Sequence, residues 1–83
     1  ENSIIVFPNP TNNQITFMFG KEKQKNCTIE IYNANGQLVK NMGVAFDNES
    51  VSVEMQDLKD GIYFYRIYDN GGQLKAGKIV LIK

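Results

Sequence analysis

The chain has 83 residues, 42% of them apolar, enough for one small hydrophobic core and a single domain. Its nine basic and nine acidic side chains cancel, which argues against a nucleic-acid binder held by phosphate attraction and against a polybasic membrane anchor. The sequence holds no His, no Trp and one Cys. That removes histidine general bases, Ser-His or Cys-His nucleophile pairs, imidazole or four-thiolate metal sites, internal disulfides and a Trp sugar platform.

The pattern along the chain is strand after strand. Ile4-Ile5-Val6-Phe7 is a short apolar run stopped by Pro8-Asn9-Pro10-Thr11, where two prolines remove ladder donors and force a bend. Residues 14–19 alternate, with Ile15, Phe17 and Phe19 on one face and Thr16 and Met18 on the other. A charged loop, residues 20–26, separates them from residues 27–32, where Cys27, Ile29 and Ile31 share a face. Asn35-Gly36 is a hairpin signal, because both residues tolerate the positive φ of a tight turn. Residues 37–41 then form the returning strand, with Leu38 and Val39 assigned to the core.

A looser stretch, residues 41–50, precedes the alternation of Val51, Val53 and Met55 with Ser52 and Glu54. Residues 56–60 make a corner before the aromatic run of residues 61–68. Asn70-Gly71-Gly72 turns the chain into a final strand over residues 73–82. No segment sustains helical spacing, and turn signals recur about every ten residues. The expected fold is all-β: a small seven-stranded antiparallel immunoglobulin-like β-sandwich. No apolar run exceeds four residues, so nothing has the length of a membrane-spanning helix. The opening residues carry no signal-peptide pattern, and Glu1 stands almost at the first strand. Residues 1–83 are therefore expected to be one domain cut from something longer.

Cys27 lies on an apolar face and reads as a buried, inert thiol. Asp47, Glu49, Asp57 and Asp60 lack EF-hand spacing and read as solvated loop charge. Lys21, Lys23 and Lys25 are interleaved with Glu22 and lack aromatic partners, so they do not read as a nucleic-acid site. Gly61 permits a corner from which Tyr63 can turn its ring inward while its hydroxyl meets a backbone group, as in a tyrosine corner. Along that strand Tyr63, Tyr65 and Ile67 form the inner face. Ile62, Phe64, Arg66 and Tyr68 form the outer one, a contact patch unless loops cover it. The run Ile79-Val80-Leu81-Ile82-Lys83 suits a central strand buried on both faces. As an edge strand it is an aggregation hazard, tolerated where a partner reads it.

Together these residues resemble the type A C-terminal sorting domain of the type IX secretion system found in Bacteroidetes. The resemblance rests on Val6-Phe7-Pro8-Asn9-Pro10-Thr11, Ile29-Glu30-Ile31-Tyr32-Asn33 and Gly36-Gln37-Leu38-Val39. It continues through Asp57-Leu58, Gly61-Ile62-Tyr63-Phe64 and Lys78-Ile79-Val80. In place of the small pair often following Pro-Asn-Pro-Thr stand Asn12 and Asn13, which can make the same turn.

The resemblance implies a non-enzymatic signal without cofactor or metal, carried behind an N-terminal passenger of a longer secreted protein. It implies passage through the periplasm and outer membrane to the cell surface or medium. Partners would be the secretion machinery: an outer-membrane translocon, a shuttle protein and a sortase that removes the domain. Recognition would map by position onto Gly61, Tyr63, Lys75, Gly77, Lys78, Ile79, Val80, Leu81, Ile82 and Lys83. Pro8, Asn9, Pro10, Asn35, Gly36, Leu58, Gly61 and Tyr63 would shape the fold. Strand-edge docking is the expected mode of contact, and the apolar end raises self-association of the isolated domain through the C-terminal strand. The alternative reading is an accessory sandwich of a cell-surface protein that binds carbohydrate or protein, and a third is a passive spacer.

Overall fold

A computed structural model describes residues 4–20 and 25–83; the predicted loop charges Lys21, Glu22 and Lys23 lie outside them. The strands are β1 (Ile5–Phe7), β2 (Gln14–Met18), β3 (Cys27–Tyr32), β4 (Leu38–Val44), β5 (Ser50–Glu54), β6 (Gly61–Asp69) and β7 (Gly72–Leu81). Among the described residues there is no helix. A three-stranded sheet, β1-β2-β5, faces a four-stranded sheet, β4-β3-β6-β7, and every strand pair is antiparallel. This is the predicted seven-stranded sandwich.

Period-two alternation decides which side chains the two sheets trap between them. Ile15 and Phe17 from one sheet meet Ile29, Ile31, Ile67, Ile79 and Leu81 from the other, all fully buried. Phe17 and Tyr65 meet edge to face, with ring centroids 5.3 Å apart. Cys27 is buried at one end of this core.

Three local readings need correction. Leu38 is exposed, because a bulge at Ile31/Tyr32 pairs it with outward-facing Tyr32, while the extra residue Val39 packs against the core. The same strand runs on through the supposedly loose stretch to Val44, which is buried beside Cys27. In the hairpin before it, only Gly36 takes a positive φ, +85°. The Asn33 side chain does the rest, its Oδ1 accepting the N–H groups of both Asn35 and Gln37 at 3.0 Å.

The sandwich is 34 Å long and about two-thirds as wide. Ile4, Phe19, Cys27, Val44 and the turn at Asn70 gather at one end. The Asn35-Gly36 turn, the 56–60 corner and residues 81–83 gather at the other.

Candidate recognition site

β7 is neither doubly buried nor a bare edge. It borders the four-stranded sheet, paired with β6 on one side only. From Lys75 onward its odd-numbered residues face inward: Ile79 and Leu81 are core, and Lys75 is half-buried opposite Ile67. Its even-numbered residues, Lys78, Val80 and Ile82, turn their side chains out and their backbone groups toward the free edge.

That edge is occupied along residues 78–82 by the Pro-Asn-Pro-Thr segment. Asn9 Nδ2 donates to the Lys78 carbonyl at 2.6 Å, and Asn9 Oδ1 accepts the Val80 N–H at 2.9 Å. Thr11 continues the pattern with its backbone. Its N–H donates to the Val80 carbonyl and its carbonyl accepts the Ile82 N–H, each at 2.9 Å, in a parallel bridge to Leu81. The Thr11 hydroxyl is itself buried, donating to the Gln14 carbonyl and accepting the Asn13 N–H. The two prolines of Pro8-Asn9-Pro10 exclude a regular strand here, so side-chain amide and backbone together form a strap.

Tyr63 and Gly77 serve packing, and Gly61 serves the backbone turn into β6. Gly61 begins β6 with φ +153° opposite Leu81, and Tyr63 donates its hydroxyl to the Lys59 carbonyl at 2.6 Å, the predicted tyrosine corner. Leu58, half-buried against the core, closes the same corner through its N–H to the Met55 carbonyl. Gly77 lies opposite Tyr65, whose ring covers it so closely that an added Cβ would sit 2.6 Å from the phenol oxygen and 2.8 Å from ring carbons. Burial there pushes the Tyr65 phenol above its ordinary pKa.

Lys83 is tied down. Its N–H donates to Asp60 Oδ1 at 3.1 Å, and its ammonium donates to the carbonyls of Gln56 and Leu58. Nothing in the residue pattern signals this latch, since it needs the corner and the last strand to be side by side.

The outer face of the four-stranded sheet holds a cluster that sequence reading missed. Glu30 accepts from the hydroxyls of Tyr32 and Tyr68 and from the Arg66 guanidinium at 2.9 Å. Arg66 also lies 4.3 Å from the centre of the Tyr68 ring. These donors, the Tyr32 hydroxyl foremost and then Arg66, hold the Glu30 carboxyl below the usual glutamate range, and the same bond raises the Tyr32 phenol. The alternation of residues 28–32 and 62–68 puts all four on one face, which was the available signal.

Beside the cluster, the outer positions Ile62 and Phe64 are 44% and 45% exposed, so loops do not cover them. The acidic residues do not converge. Asp57 pairs with Lys40 at 3.0 Å, which draws its carboxyl below the ordinary range, whereas Asp47 and Glu49 lie at the opposite end of the sandwich. No group of His, Cys, Asp or Glu among the described residues could hold a metal ion.

A small all-β sandwich with a tyrosine corner, a strapped last strand and uncovered sheet faces offers surfaces for contact. Residues 5–83 match the family described as the secretion system C-terminal sorting domain, and the chain belongs to that family, the sorting signals of type IX secretion. This is not an enzyme family. No curated protein shows a significant sequence match to the chain. Among solved structures, CopC from Methylosinus trichosporium OB3b is 18% identical, with 93% of this chain and 89% of that one covered at a TM-score of 0.50, a likeness of fold alone.

Proposed function

We propose that residues 1–83 form one C-terminal module that directs an N-terminal passenger through the outer membrane, is read there by protein–protein contact, and is then removed by a sortase. The family match over residues 5–83 carries this reading. The fold agrees with it in one respect. Ile4, on the passenger side, lies at the end of the sandwich opposite residues 81–83, which leaves the proposed recognition end unobstructed. Of the ten residues mapped for recognition, Lys78, Val80 and Ile82 turn their side chains outward, open to a translocon or shuttle, while Lys75 lies half-buried on the inner face. Gly61, Tyr63, Gly77, Ile79, Leu81 and Lys83 would act by keeping the strand in place. A partner adding a strand along residues 78–82 must first displace Asn9 and Thr11.

The test is a soluble reporter followed by a short linker and residues 1–83. It is expected to leave cells that possess the secretion system and to stay in the periplasm of cells that lack it. Deleting residues 78–83 should trap the fusion, but it also strips Ile79 and Leu81 from the core. Ile82→Glu, at a 56% exposed position, separates recognition from folding. Export of the deletion variant at the normal level would refute a role for the terminal strand, and equal retention of the intact fusion in both strains would refute the sorting reading.

A further inference from the structure

The sheet registers place an apolar row across the outer face of the four-stranded sheet. Leu38 lies opposite Tyr32, Tyr32 opposite Phe64, and Phe64 opposite Lys78; one step along β6, Ile62 lies opposite Val80. Single exposed apolar residues are ordinary, but a row shared by four adjacent strands is not. The polar groups around it are already spent on one another, because Glu30 takes Arg66, Tyr32 and Tyr68. Lys78 ends the row, exposed, and among the described residues it has no paired carboxylate.

Resting on the sorting-signal reading, we propose that this row is the surface the secretion machinery reads. Its occupant is a protein partner that lays an apolar strip across Phe64, Ile62 and Val80 and sets a carboxylate against Lys78. Charge decides against a second copy of this chain. Among the described residues the only acid on the face is Glu30, already held by three donors, so a face-to-face dimer would leave both Lys78 ammonium groups without a partner. Position decides against the passenger, because the chain enters beside Met18 at one end of the sandwich, whereas Ile62 and Val80 lie near the other. The Glu30 cluster fixes the Tyr32 and Tyr68 rings, so the surface is rigid before contact.

The experiment exports the reporter fusion in five forms: intact, Ile62→Ser with Phe64→Ser, Lys78→Glu, Lys78→Arg, and Ile5→Ser with Met18→Ser on the opposite sheet. Matched melting curves establish that each is folded. Export should fall about tenfold or more for the first two variants, as for central contact residues, remain for Lys78→Arg, and stay normal for the opposite-sheet control. Export of the intact fusion together with undiminished export of Ile62→Ser/Phe64→Ser overturns this surface alone. Failure of the intact fusion overturns the sorting reading and the surface with it. An equal loss from the opposite-sheet control, or a dimer of the isolated domain that Phe64→Ser dissolves, also overturns the assignment.

Discussion

Replacing Asn9 by Ala removes two hydrogen bonds at once, from the Lys78 carbonyl at 2.6 Å and from the Val80 N–H at 2.9 Å. Both backbone groups lie at an exposed edge, so water can take over part of what is lost. The cost is then about 0.5–1 kcal/mol per bond, not the larger penalty of a buried orphan. The total of about 1–2 kcal/mol would lower the melting temperature of a domain this size by about 4–16 °C. Asn9→Asp is the sharper variant. Its carboxylate still accepts from Val80 but sets an acceptor against the Lys78 carbonyl, so it should be no more stable than Asn9→Ala. Thermal denaturation followed by circular dichroism measures the cost, and amide hydrogen exchange locates it. The Val80 N–H should lose protection, while the Ile82 N–H, held by the Thr11 backbone, should keep most of its own. Unchanged Val80 exchange in Asn9→Ala would refute the strap, because that amide has no ladder partner on its edge side.

Gly77→Ala should cost about 1–3 kcal/mol by overpacking, because Tyr65 is pinned by Phe17 and cannot swing away from the new Cβ. In a Tyr65→Val background the added cost should shrink, and simple additivity in denaturant titrations would contradict the contact. Tyr63→Phe should lose about 1 kcal/mol in the same assay, through the bond to the Lys59 carbonyl. The Glu30 carboxyl is depressed in the folded state, so the unfolded chain binds the extra proton. Its contribution is full above the ordinary glutamate range and fades as pH falls through the lowered folded value. Glu30→Gln should flatten that acid limb of the stability profile, and an unaltered limb would show that the cluster is not formed in solution.

Much of the sandwich was legible because alternation is a local signal. Ile15 and Phe17, or Tyr63, Tyr65 and Ile67, declare a face within a few residues, and the Gly61–Tyr63 spacing forecast a hydroxyl bond that the structure contains. Leu38 misled because a bulge inserts one residue and reverses which neighbours face inward, an event decided by pairing with β3. The status of β7 was equally out of reach. Four consecutive apolar residues suggest burial on both faces, whereas the chain covers the strand's edge with a segment about 70 residues away in sequence. The Glu30 cluster required strands β3 and β6 to be in register, although each contributes its members at ordinary two-residue spacing.

The strap gives the domain a built-in test of completion. Asn9 and Lys78 are 69 residues apart, so their contact closes nearly the whole chain and carries a high loop-closure cost until β6 and β7 are paired. Until then the end of β7 is a bare apolar strand. Afterwards its Lys78 and Val80 carbonyls and its Val80 and Ile82 N–H groups are taken by Asn9 and Thr11, beside a row of side chains that exists only when β3, β6 and β7 lie together. An unfinished chain and a finished one thus differ most at the same place. Machinery docking on the proposed surface would therefore reject incomplete domains without a separate inspection step.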